Sequence, residues 1–288
     1  MPGRTWLGTT GLNSVFDEVL AWNENRLNDV AGRKCIGVDG FKGADKRHVM
    51  NLTVFKSGVV SYLSTEWFGR KKHSGQTYAG VVAKYMGEDA HLNFIAVVAD
   101  NTSSMVSMFT ILATLYVGIF YLGCVVHVYD LLIEDIVKKI SVIASLAEEI
   151  RFVVVMILSY SQLTELFREM GKKFHGASHK SLVLYPDTRF AYVYLMAKHV
   201  IFNYAILMNI PDTVEFKMLR KQVKASRRSQ FDRFEELFAT TTFKKKVTAV
   251  VYLLEPISKA LHLNESNSFP IALVPAVYSA VFDFVQVN

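Results

Sequence analysis

Apolar positions recur along this chain with two different periods, and the change from one to the other divides it into regions. Leu12, Val15, Phe16, Val19, Leu20 and Leu27 follow a helical spacing, which predicts an amphipathic helix over 12–30 with Gly32 as its stop. Three short segments rich in β-branched and aromatic residues follow, at 35–38, 48–55 and 59–67. The last two are separated only by Lys56-Ser57-Gly58, the pattern of a strand and then a hairpin. Residues 74–86 return to a helical period. Residues 93–99 (Asn-Phe-Ile-Ala-Val-Val-Ala) form the nearly continuous apolar run required of a central strand covered on both faces, and the run ends in Asp100. The next apolar stretch divides into a helix to about Tyr116 and a strand over 117–122, with Gly118 and Gly123 as punctuation.

The predicted order is therefore three consecutive strands, a helix, a strand, a helix and a strand. This is the order of an α/β, RNase H-like mixed sheet in which the first and fourth strands are neighbours at the centre. From Val125 onward the chain is predicted to be all-helical. Segments 128–147, 163–170, 190–208, 214–223, 231–238 and 244–254 accept a helical period, and 174–187 and 264–270 read as loops. The expected organisation is an N-terminal helix over 1–30, an RNase H-like core over 31–140 and a helical domain over 141–288.

A composition of 51% hydrophobic and 20% charged residues makes a folded chain, not a disordered one, the expectation. The net charge of +6 and the pI near 9.1 favour polyanionic partners, without choosing between nucleic acid and an acidic membrane surface. Cys35 and Cys124 are far apart, and the opening Met-Pro-Gly-Arg-Thr-Trp lacks the apolar stretch of a secretory signal, so a reducing compartment is expected. From Asn101 to Tyr129 there is no Asp, Glu, Lys or Arg. By length, residues 105–126 could span a bilayer, an alternative to a buried helix and strand. Against the span stand Thr110, Thr114, Gly118 and Gly123 and the lack of a basic cluster at either flank.

Asp39 and Asp100 each close a predicted strand. On adjacent strands their carboxylates would converge at one edge of the sheet and could hold Mg²⁺, a hard cation that takes carboxylate oxygens and keeps several waters. Aspartate is also a common turn former, so two strand-end aspartates are a weak signal in isolation. Cys124 and His127 could bind zinc from one helical face. A structural zinc site normally needs four ligands, however, and a buried cysteine with a hydrogen-bonded histidine is the plainer alternative. His175 and His179 flank the predicted loop and read as solvated loop histidines.

The words around these residues add a resemblance. Val38-Asp39-Gly40-Phe41, Val97-Val98-Ala99-Asp100-Asn101 and Cys124-Val125-Val126-His127 are followed by Leu131-Leu132-Ile133-Glu134-Asp135-Ile136. In order and spacing they resemble the hAT superfamily of transposases, and more closely the transposase-related domain of unknown function found in many hAT-like proteins. The likeness runs from about Leu12 to Ile136 and continues through Asp187-Thr188-Arg189-Phe190. It implies that Asp39 and Asp100 match the first two members of an Asp-Asp-Glu metal triad, that Cys124 and His127 match the family's Cys-x-x-His, and that Arg189 and Phe190 match its Arg-Trp, whose ring stacks on an unpaired base. Phe41 and Phe190 stand where the family has tryptophan.

The family's third carboxylate, a glutamate beyond the helical insertion, has no counterpart up to Asn288, and Glu134 and Asp135 occupy the wrong helix for that role. The chain is thus expected to be truncated before the catalytic glutamate. It is expected to hold Mg²⁺ weakly and to bind DNA instead of acting as a Mg²⁺-dependent polynucleotidyl transferase. The alternative is an active nuclease whose third carboxylate comes from elsewhere, such as another chain. The resemblance also implies a nuclear location and homo- or hetero-oligomers with other transposase-like chains. Outside the motifs, Lys217, Arg220, Lys221, Lys224, Arg227 and Arg228 recur with helical spacing and no intervening acid. Lined up on one helix, they could follow a phosphate backbone; otherwise they are a solvated face. The clusters at 70–72 and 244–246 are further basic patches of the same kind.

Overall fold

The computed structural model describes residues 32–42, 46–69, 73–88, 90–185, 191–266 and 273–287, with scattered residues between 14 and 25. The helix predicted over 12–30 falls largely outside the described residues, and the basic cluster at 70–72 does so entirely. The chain divides into two compact units, Met1–His127 and Val128–Asn288.

The first unit is built on five strands: β1 (Lys34–Lys42), β2 (His48–Lys56), β3 (Val59–Trp67), β4 (Phe94–Ala99) and β5 (Phe120–Gly123). Their order in the sheet is β3-β2-β1-β4-β5. Strands β1, β2 and β3 follow one another directly and pair antiparallel. The turn between β2 and β3 is made by Ser57 and Gly58, both at positive φ, the two-residue geometry that matches the twist of a hairpin. Strands β4 and β5 are reached through helices and pair parallel, β4 against β1 and β5 against β4. The first and fourth strands are thus neighbours, as the element order predicts.

Helices α1 (Gly75–Met86), the single turn α2 (Ala90–Asn93) and α3 (Ser103–Leu115) make the connections. Ser74 caps α1, its hydroxyl accepting from the Thr77 amide. Tyr78, Val82 and Met86 of α1 and Met105, Met108 and Leu112 of α3 pack with Ile36, Val38, Met50, Leu52 and Val97 of the sheet. The alternation along β2 sends Met50 and Leu52 into this core, with Val54 buried on the same face, and leaves Val49, Asn51, Thr53 and Phe55 on the opposite face.

Two strand expectations need correction. Strand β1 runs on to Lys42, so Asp39 lies within it, because pairing with β2 continues to Lys42 opposite His48 through residues of poor strand propensity. Strand β5 starts at Phe120, not 117, since residues 116–119 form a turn with Gly118 at φ +84°. Nor is β5 buried: it has one neighbour, sits at the sheet edge and leaves Phe120 62% exposed. The span alternative over 105–126 fails for the same reason, the run being broken into helix, turn and strand. Among the described residues no single helix is long and apolar enough to cross a membrane.

Helix α4 (Val125–Lys139) follows, and the division between units falls within it. The second unit continues with α5 (Ser141–Leu158), α6 (Ser161–His175), α7 (Tyr192–Phe202), α8 (Tyr204–Asn209), α9 (Val214–Gln222), α10 (Ala225–Phe238), α11 (Thr242–Glu265) and α12 (Val274–Val287). No strand occurs among its described residues. The helix predicted over 128–147 is two helices, broken where Ile140 takes an extended conformation. The one predicted over 244–254 runs on through Pro256, because Ile257, Ala260 and Leu261 continue its buried face. Phe231, Phe216, Phe234, Phe238 and Phe243, in that order, form a chain of rings with successive centroids 4.9 to 5.8 Å apart. His175 and His179 are not solvated. The first closes α6 and stacks on Phe202 at 4.4 Å, the second packs its ring against Gly171, and three of their four ring nitrogens are buried without a hydrogen bond.

Candidate functional site

Parallel pairing of β1 with β4 places Val38 opposite Ala99, so the next residues along the two strands are Asp39 and Asp100. Asp39 leaves the sheet on the face opposite the α1–α3 core, because Val38 points into that core, and Asp100 follows the last residue of β4. Asp100 is held by a turn of its own making, its Oδ1 accepting from the Thr102 amide at 2.9 Å as α3 begins. Asp39 accepts from the Gly40 amide.

The electrostatics tie the two together. Partial burial pushes the Asp39 carboxyl above its ordinary range, the negative charge of Asp100 pushes it further, and His127 and the Gly40 amide pull it part of the way back. Asp100 also acts on the α1 side, where it adds to the effect of burial in raising the Tyr78 hydroxyl.

The Cys124 and His127 positions belong to the same edge. The Cys124 amide donates to the Ala99 carbonyl at 2.6 Å and so extends the β4–β5 pairing by one bond. Asn101 then reaches across, its Nδ2 donating to the Cys124 carbonyl. That reach depends on Gly123, since a Cβ there would lie 1.9 Å from the Asn101 Oδ1. His127, in the first turn of α4, is near enough for its charge to lower Asp39. The Cys-x-x-His stretch therefore supplies a backbone bond and an imidazole at this edge. Among the described residues no three His, Cys, Asp or Glu side chains are gathered to ligate one metal ion. The set suits a hard cation held by two carboxylates and otherwise hydrated better than it suits zinc.

The raised carboxyl has a measurable consequence. The unfolded aspartate titrates near about 3.9, and between that pH and the higher folded value the folded chain binds more proton, so stability falls as pH rises through the window. In metal-free buffer Asp39→Asn is expected to raise the melting temperature at pH 7 and to lose that advantage below pH 3.5. An equal effect of the substitution at both pH values would show an unperturbed carboxyl.

A family model described as "Domain of unknown function (DUF659)" matches residues 2–153, more than half of the 288. The chain belongs to the DUF659 family. The matched segment holds all five strands, both aspartates and the Cys124–His127 pair. No curated protein matches the chain.

The remaining candidate residues of this DUF659 protein lie in its helical unit. Arg189 and Phe190 fall outside the described residues. The basic stretch does not line one helix: α9 ends at Gln222 and α10 begins at Ala225, with extended backbone at Val223. The acids missing from the stretch in sequence arrive through the fold, because Arg220 pairs with Asp232 and, at 3.5 Å, with Glu235. Lys217 donates to the Asp212 carbonyl and Arg228 to the Lys221 carbonyl. Lys221, Lys224 and Arg227 make no ion pair among the described residues. Lys217, Arg220, Lys221 and Arg228 line an open basin of about 420 Å³. Helical periodicity could not reveal the break at Val223, and the importance of Asn101 and Gly123 had no signal in the sequence beyond their place beside Asp100 and Cys124.

Proposed function

We propose that this chain is a hAT-type, transposase-derived DNA-binding protein that holds DNA without cutting it. The observation that carries the reading is membership of the DUF659 family, which is associated with hAT-type transposase-like proteins, together with Asp39 and Asp100 at the junction of the parallel strands β1 and β4. Those two carboxylates would hold a hydrated Mg²⁺ weakly, and such an ion supplies charge neutralisation and an activated hydroxyl in phosphodiester chemistry. A third carboxylate would be needed to complete the clamp on the attacking and leaving oxygens, and the proposal stops at binding. DNA as the partner puts the place of action in the nucleus, and association with other transposase-like chains belongs to the same proposal.

Lys221, Lys224 and Arg227 would meet phosphates, which carry no base identity. Two duplexes of equal length and unrelated sequence are therefore expected to bind with the same affinity in competition. A preference of 10³-fold or more, of the order that separates specific from non-specific sites, would contradict the proposal, as would the absence of any binding at low salt.

A further inference from the structure

The sheet face that carries Asp39 continues across β2 and β3 and is lined with exposed rings. Phe41 stands opposite Val49, and Val49 opposite Trp67, so the three share one cross-strand row on this face. Trp67 is 57% and Phe41 44% exposed. Tyr62 stands opposite Thr53 on the same face, and Phe55 lies two residues further along β2; both are exposed. Phe55 lies flat across β1 because residue 37 is glycine, where a Cβ would meet its ring at 2.6 Å. Between the rings run polar groups in a hydrogen-bonded chain, Tyr62 Oη donating to Thr65 Oγ1 at 3.0 Å and Thr65 Oγ1 to Asn51 Oδ1 at 2.6 Å.

The rim at the β1–β2 end is cationic. Lys42, Lys46 and Arg47 are exposed there, and the Arg47 guanidinium sits 5.1 Å from the centre of the Trp67 ring. The positive field is felt nearby, where His48 and Lys42 add to burial in lowering His73.

We infer that this face of β1–β3 is a stacking platform for single-stranded DNA. Four outward rings on one sheet face suit bases that expose their flat sides, and a cationic rim suits the phosphates between them. Duplex DNA hides those flat sides in its own stack. A second protein copy would favour a continuous apolar patch, whereas here Asn51, Thr53 and Thr65 separate the rings. The choice of DNA over RNA rests on the proposed function, but the platform uses no residue of the basic helices α9 and α10.

The test is tryptophan fluorescence of the full chain titrated with oligothymidine. The chain has three tryptophans, Trp6, Trp22 and Trp67, so comparison with Trp67→Ala isolates the one on the platform. Oligothymidine is expected to quench the wild-type emission. Trp67→Ala should lose that quenching and bind about 5- to 150-fold more weakly, the range for one stacked base. Trp67→Phe should recover most of the affinity, which guards against a folding defect, and Tyr62→Ala should give a smaller loss in the same direction. Lys221→Glu with Lys224→Glu should leave the quenching intact, so failure of the basic helices and failure of the platform are distinguishable. Unchanged emission, or equal oligothymidine binding by Trp67→Ala, would overturn the inference. So would tighter binding of oligouridine, or a Trp67→Ala effect confined to sedimentation mass, which would assign the face to a second copy of the chain.

Discussion

Supercoiled plasmid incubated with the wild-type chain in Mg²⁺ or Mn²⁺ is expected to stay supercoiled, as it should with Asp39→Ala and Asp100→Ala. In-line displacement at phosphorus requires stabilisation of both the attacking and the leaving oxygen, and two carboxylates on neighbouring strands clamp only part of that geometry. Asp100 spends one oxygen on the Thr102 amide, and burial together with the charge of Asp100 raises the carboxyl of Asp39. Losing one principal electrostatic contact typically costs about 10²–10³ in rate, and a misplaced ion costs more. Nicking by the wild type that both substitutions abolish would contradict this expectation. It would direct attention to a third carboxylate brought by another chain, and after that to Glu134, Asp135 and Asp283. Two of these have partners already, Glu134 pairing with Lys138 and Asp135 with Lys139 at 2.8 Å.

What could be read from the sequence, and what could not, follows from the range of the interactions involved. Part of the strand order was legible in the succession of elements, since β1, β2 and β3 follow one another directly and pair antiparallel while β4 and β5, joined through a helix, pair parallel; the place of β4 beside β1 and not β3 follows from the RNase H-like order. Apolar runs such as 93–99 marked the central strand β4 to within a residue. The limits of β1 were not legible. Asp39, Gly40 and Phe41 are held extended by β2, a partner that local propensity does not register. The exposure of β5 was missed because hydropathy reports what a residue prefers, not whether its strand has a neighbour on both sides. The same limit applies to charge. Arg220 looked free in a stretch without acids, but α10 folds back to set Asp232 and Glu235 against it. The convergence of Asp39 with Asp100 is in the opposite class: once β1 and β4 are neighbours, their register brings the two together without further information.

The claim that this chain is a DNA-binding protein whose contacts are phosphates is tested most directly by the salt dependence of duplex binding. Of the six basic residues between Lys217 and Arg228, Arg220 is neutralised by two acids, Lys217 and Arg228 donate to backbone carbonyls, and Lys221, Lys224 and Arg227 have neither an ion pair nor a side-chain hydrogen bond among the described residues. If those three neutralise one phosphate each, log K should fall against log salt with a slope of about −2.7, or about 40-fold in affinity for a fourfold rise in salt. Lys221→Glu with Lys224→Glu should flatten the slope to about −0.9 or less, since Arg227 alone of those three is left, and should weaken binding most at low salt. Arg220→Gln should change the slope little. The measurement is a fluorescence-anisotropy titration of a duplex at several salt concentrations with these three proteins. A slope near −2.7 that collapses in the double substitution is the predicted result. A slope and affinity that the double substitution leaves unchanged would show the basic stretch to be merely solvated and would contradict the account.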